Sequence, residues 1–123
     1  MDKFQALHSF WSSFGIPAYD ENTVPSGNFT PETPYITYEA AVSDLDHPIA
    51  LSASLWYYGP SWGPVTEKAL EIESGIGRGG VTQPMDNGAL WIKRGSPFAR
   101  RMSDPNDMIR RIIVNIEAEY FTA

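Results

Sequence analysis

Arg110-Arg111-Ile112-Ile113-Val114-Asn115-Ile116-Glu117-Ala118-Glu119-Tyr120, near the end of the chain, decides the fold. Arg110, Ile112, Val114, Ile116, Ala118 and Tyr120 alternate with Arg111, Ile113, Asn115, Glu117 and Glu119. From Val114 onward the alternation is apolar on one side and polar on the other. Successive side chains of a strand point to opposite faces, so this pattern predicts a strand with one face in a core and one toward water. Such a strand needs antiparallel neighbours and a cover for its apolar face.

Working outward, the same period recurs. In Ile49–Tyr58, the residues Ile49, Leu51, Ala53, Leu55 and Tyr57 share one side, with Ser52, Ser54, Trp56 and Tyr58 opposite. In Tyr35–Val42, Ile36, Tyr38, Ala40 and Val42 share a face. Ser43-Asp44-Leu45-Asp46-His47-Pro48 between them is made of turn formers, which predicts an antiparallel hairpin. Leu90–Arg94 reads as a short strand after the Asp86-Asn87-Gly88 turn.

Two helices supply the cover. Phe4, Leu7, Trp11 and Phe14 recur at helical steps within residues 2–14, and Phe10 widens the stripe. Asp2 suits the start, Gly15 the end, and Ile16-Pro17 the stop. Val65, Ala69, Ile72 and Ile76 line a second helix, with Pro64 in its first turn and Gly77-Arg78-Gly79-Gly80 ending it. Residues 17–34, with Pro17, Pro25, Gly27, Pro31 and Pro34, read as a long loop, either an arm that orders on a neighbour or a floppy insertion. Residues 95–107 read as irregular. The expectation is one α+β domain over residues 1–123: a mostly antiparallel β-sheet with two helices packed on one face, in the order α-β-β-α-β-β.

Composition removes several functions. The 123 residues contain no cysteine, which excludes disulfides, thiolate metal sites and cysteine nucleophiles. With His8 and His47 the only histidines, a histidine-rich metal site is not expected. No apolar run approaches membrane-spanning length, and Met1-Asp2-Lys3-Phe4 lacks a secretory pattern, so a cytoplasmic site of synthesis is expected. The formal net charge is −6. Residues 1–77 carry ten acidic side chains against two lysines, and residues 78–123 carry five against seven Lys or Arg. An acidic chain is a poor partner for free nucleic acid, whereas an acidic side and a basic side can pair copies head to tail.

The usual chemical constellations are not expected. His8 lies mid-helix and His47 in a turn, neither beside an evident nucleophile. Asp44, Asp46 and His47 could hold a metal, but the spacing matches no known metal loop. Gly77-Arg78-Gly79-Gly80 follows a helix and lacks the Lys-Ser/Thr of a phosphate loop. A small hydrolase or nucleotide-binding domain would need a cluster of ionisable groups that the sequence does not supply. No catalytic, metal or cofactor-binding residue is therefore expected.

Charge and aromatics remain. Lys93-Arg94, Arg100-Arg101 and Arg110-Arg111 are three dibasic pairs within 19 positions. They fit a solvated face or a protein interface better than a nucleic-acid site, because Phe98 is the one aromatic interleaved beyond the Trp91 strand. Trp56 and Tyr58 lie opposite the apolar row of their strand, and Trp62 follows in a Gly-Pro loop. Aromatics so placed mark either a protein contact or a second covered layer.

Several stretches carry a family resemblance: Met1-Asp2-Lys3-Phe4-Gln5-Ala6-Leu7-His8-Ser9-Phe10-Trp11, Pro34-Tyr35-Ile36-Thr37-Tyr38-Glu39, Leu55-Trp56-Tyr57, Ser61-Trp62, Ile76-Gly77-Arg78-Gly79-Gly80, Leu90-Trp91-Ile92-Lys93-Arg94-Gly95 and Asp107-Met108-Ile109-Arg110-Arg111. Together they resemble a small tail or minor capsid structural protein of long-tailed bacteriophages and prophages. The expected element order is also similar to that of the tail terminator (tail completion) proteins of lambda-like phages. The resemblance implies a hexameric ring on the end of the tail tube that stops tube polymerisation and presents the head-joining surface. Partners would be copies of the chain, the tail tube protein and head-tail connector proteins, with DNA passing through the ring without specific binding. It implies no enzyme activity, no cofactor and no membrane, a place in the virion, and synthesis in the host cytoplasm. A head-closure or head-tail adaptor protein of the neck is the alternative. On this reading Arg78, Arg100, Arg101, Arg110, Arg111, Trp56, Tyr58 and Trp62 are the candidate contacts to a neighbour or to the tube.

Overall fold

A computed structural model describes residues 1–25, 31–42 and 47–122. The elements in chain order are α1 (Lys3–Ser12), β1 (Ala18–Asp20), β2 (Tyr35–Tyr38), β3 (Ile49–Tyr58), α2 (Gly63–Ile76), β4 (Val81–Met85), β5 (Gly88–Met102) and β6 (Ile109–Thr122). The six strands form one sheet in the order β1-β2-β3-β6-β5-β4. The class is α+β as expected, and every pairing is antiparallel except β1 with β2.

The last strand is the hub. β6 pairs with β3 from Ile109 opposite Tyr58 to Ala118 opposite Ile49, and with β5 along its other edge. Direct partners share a face, so Leu55 lies beside Ile112, Ala53 beside Val114 and Leu51 beside Ile116. These side chains are buried together with Leu90, Ile92, Ala118 and Tyr120. Ala6, Leu7, Phe10 and Trp11 of α1, and Val65, Ala69, Ile72 and Ile76 of α2, join them in one core. α1 touches β1 at one edge of the sheet and β4 at the other, so the sheet curls around it.

Local chemistry explains the helix ends. Asp2 Oδ1 accepts from Gln5 N at 2.8 Å and Asp2 N donates to Gln5 Oε1 at 2.8 Å, a reciprocal cap. The N-terminal amine pairs with Asp86, and Asp86 N donates to Met1 O at 2.6 Å, which ties α1 to the β4–β5 turn. α2 has Pro64 in its first turn and ends at Gly77, whose φ of 74° lies in the left-handed region.

Five expectations are corrected. The order is α-β-β-β-α-β-β-β, because β1 lies in the expected loop and β4 in residues 81–85, to which the sequence pattern assigns no element. Ala18–Asp20 is a three-residue strand inside the proline-rich stretch, held by parallel pairing to Ile36–Tyr38. Residues 95–102 are not irregular: β5 runs to Met102, with a register shift between Arg94 and Ala99 that absorbs Gly95-Ser96-Pro97-Phe98. Asn115 Nδ2 donates to Pro97 O at 2.9 Å and anchors that bulge. β2 stops at Tyr38 rather than at the expected Val42, although Glu39 N still donates to Ser52 O at 3.0 Å. Phe4, assigned to the core stripe, is 51% exposed, because the buried face of α1 is formed by Ala6, Leu7, Phe10 and Trp11. Part of the 17–34 loop and residues 43–46 of the expected turn lie outside the described residues.

Candidate functional site

All of the expected interface residues except Arg78 divide between the two faces at one end of the sheet. That end is where β3 and β5 finish and β6 begins: Trp56 lies opposite Arg111, Tyr57 opposite Arg110, and Arg101 opposite Ile112.

On the face away from the helices, Tyr35, Trp56, Arg111 and Met102 form a row across four strands. The Arg111 guanidinium carbon lies 4.5 Å from the Trp56 ring centroid. Its Nε and Nη2 donate to Ser54 Oγ at 3.1 and 3.0 Å. Trp56 Nε1 donates to Thr37 Oγ1 at 2.9 Å. Tyr35 stacks beside Trp56 at 6.2 Å, and Tyr19 meets Tyr35 edge-on at 6.1 Å. Burial, then the neighbouring Tyr19, pushes the Tyr35 phenol above its usual value, so it stays neutral. Trp56 is half-buried, so it is a fixed surface aromatic rather than part of a second core layer. Tyr58 is 61% exposed at the end of the same strand. Arg100 is exposed on this face, opposite Ile113.

On the helix-bearing face, Trp62 stands at the N-terminus of α2 between two guanidinium groups. Arg101 lies 4.8 Å and Arg110 5.4 Å from its ring centroid. Arg110 donates to three backbone carbonyls: Asp107 O, Ile109 O at 3.4 Å and Pro60 O at 3.1 Å. Its Nε is buried without a partner. Beside Arg101, an apolar depression of about 190 Å³ opens between α2 and β5, lined by Ala69, Leu70, Ala99 and Ile112. Leu70 on its rim is 56% exposed. The outer side of α2 is acidic: Tyr57 is pushed above its usual range by burial, then by Glu71 and Glu67.

Arg78 is not brought to this end. It sits exposed in the turn after α2. Among the described residues, no carboxylate lies within 4.0 Å of Arg78, Arg100, Arg101, Arg110 or Arg111; the ion pairs present are those of the N-terminus, Lys68, Lys93 and Arg94. Charges left unpaired on a surface are available to a partner, whereas paired ones are already spent.

Tyr19, Tyr35, Thr37 and Ser54 were not anticipated as members of this surface. The signal was present in the strand period: Tyr35 and Thr37 flank the buried Ile36, so both face away from the core. Tyr19 had no signal, because β1 itself was not legible.

His8 is held within the fold. Its Nδ1 meets Tyr38 Oη at 2.9 Å and its Nε2 meets Ser12 Oγ at 3.2 Å, so it links α1 to β2. Among the described residues no group of three His, Asp or Glu side chains could hold a metal, and no helix is long and apolar enough to cross a membrane. Asp44 and Asp46 of the metal reading lie outside the described residues. No protein-family model matches the chain, and no curated protein matches it.

Proposed function

We propose that the chain is an assembly protein of long-tailed bacteriophages: a tail terminator that forms a ring on the end of the tail tube, stops its growth and offers the head-joining surface. The observation that supports it most is the end of the sheet bearing Arg100, Arg101, Arg110 and Arg111, four cations with no carboxylate within 4.0 Å among the described residues, on a chain of net charge −6. Two of them bracket Trp62 and one covers Trp56. Arginine and tryptophan together, rigidly placed and partly exposed, are the composition of a protein contact. The residue resemblance over most of the chain supplies the phage context. The acidic balance elsewhere suits a ring that DNA passes through, since phosphates find few cations to bind.

Electron microscopy of lysates from a parent phage lacking this gene tests the reading. Overlong, headless tails beside filled heads are the expected result. Tails of normal length beside heads that leak DNA would overturn it and place the protein on the head side of the joint, as a closure or adaptor protein.

A further inference from the structure

The charge asymmetry of the sequence becomes an asymmetry between the two edges of the sheet. No Lys or Arg occurs between Lys3 and Lys68, so β1, β2 and β3 carry none. β5 carries Lys93, Arg94, Arg100 and Arg101. β1 is the terminal strand on one side, ending in Asp20 and followed by the exposed Glu21. On the other side, β4 covers β5 only as far as Val81 opposite Ile92. From Lys93 to Met102 the outer edge of β5 therefore pairs with no strand among the described residues.

An uncovered strand edge presents backbone donors and acceptors to whatever lies alongside. Charged side chains on that edge discourage indiscriminate pairing and select a partner of opposite sign. Among the described residues, no carboxylate lies within 4.0 Å of the exposed Arg100 and Arg101. The chain's other edge has the opposite sign and no cation.

We propose that the occupant of the free β5 edge is the acidic β1 edge of a second copy of this chain, with Arg100 facing the neighbour's Glu21. The two edges differ, so the contact is head to tail, and repeating it gives a ring or a filament rather than a closed pair. This deepens the ring reading above, because it names the contact between subunits.

Charge exchange tests it. Glu21→Lys and Arg100→Glu alter exposed side chains that bond to no described residue, so both variants should keep the parent's circular dichroism and melting. Each alone sets like charges face to face and should raise the protein concentration needed for assembly at least about tenfold, read by sedimentation velocity at low salt. Mixing the two restores opposite charges at both contacts and should restore assembly near the parent's concentration. A mixture that stays unassembled, either single variant that assembles like the parent, or a parent that remains monomeric at millimolar concentration overturns the contact. Overlong tails in the deletion lysate beside a failed mixture would leave the terminator reading standing without this contact. A successful mixture beside tails of normal length would do the reverse.

Discussion

The guanidinium of Arg111 covers the indole of Trp56 at 4.5 Å while donating twice to Ser54 Oγ, so one side chain closes the polar and the aromatic part of the open sheet face. Ser54 is 7% exposed although it points away from the core, and its hydroxyl lies under the Arg111 guanidinium that donates to it.

Replacing Arg111 should therefore hurt the monomer. Arg111→Ala removes the stacked cation and leaves the Ser54 hydroxyl without its donors, a loss of about 1 to 2 kcal/mol. Arg100→Ala, on an exposed side chain of the next strand, should stay within about 0.5 kcal/mol. Urea titrations followed by tryptophan fluorescence compare the two, and equal effects would mean that the stack is not structural.

Assembly should show the opposite ranking. Arg100→Glu with Arg101→Glu reverses two cations at the uncovered end of β5 and should abolish rings while the monomer stays folded. Arg101 also flanks Trp62, a cation–π contact of about 0.5 to 1 kcal/mol at an exposed site, so a small drop in melting temperature is expected. Intact rings from this double variant, seen by negative-stain microscopy, would remove these arginines from the interface.

The strands that could be read from the sequence are those with a clear period and no glycine or proline: β2, β3, β6 and residues 90–94 of β5. What stayed hidden is structure that tertiary pairing imposes against local preference. Gly95 and Pro97 signal a loop, yet β6 continues past them and its backbone needs a partner, so β5 bulges and resumes at Ala99. Pro84 hides β4, which survives as an edge strand where a missing donor is tolerated. At the candidate site, the residue types and their sides of the strands were legible, but not which aromatic ring each arginine meets. Arg110 and Arg111 are adjacent in sequence and therefore lie on opposite faces, one with Trp62 and one with Trp56.

Alkaline pH should destabilise the fold. Tyr120 is buried, and burial pushes its phenol up to about 12 from 10.0. Its hydroxyl donates to Ala41 O at 3.2 Å, which only the neutral form can do. A folded value above the unfolded one means that this contribution is complete below pH 10.0 and is lost as the pH rises toward about 12. The loss is about 2 kcal/mol. Tyr120→Phe should flatten that part of the stability-versus-pH curve at a cost of about 1 kcal/mol at neutral pH. An unchanged alkaline slope would show that other tyrosines carry it.

Two residues of one helix separate core from surface. Leu7 is fully buried and Phe4 is 51% exposed, although both belong to the apolar stripe of the sequence. Leu7→Ala should cost about 2 to 4 kcal/mol, the range for a buried leucine that leaves a cavity. Phe4→Ala should cost less than about 1 kcal/mol. A large Phe4 effect in thermal melts would place its ring in a packed site.

Neighbouring glycines in the Gly77-Arg78-Gly79-Gly80 turn should respond in opposite ways. Gly80 has φ +87°, and a Cβ there would lie 2.6 Å from Ile92 O and 2.6 Å from Trp91 Nε1. Trp91 cannot simply move aside, because its Nε1 donates to Gly79 O at 3.1 Å and Lys93 packs over its ring at 4.4 Å. Gly80→Ala therefore combines left-handed backbone with a collision against backbone and a tethered indole, a cost of about 2 to 4 kcal/mol. Gly79 meets nothing within 4 Å and has no left-handed φ, so Gly79→Ala should be neutral or stabilise by about 0.5 kcal/mol through the unfolded chain. The pair also decides what the glycines are for. A phosphate cradle would need both positions open to a ligand, whereas the close approach of β4 to β5 needs Gly80 alone. Melting temperatures that drop for Gly80→Ala and hold for Gly79→Ala would establish the structural role; equal drops would reopen the question of a ligand at the turn.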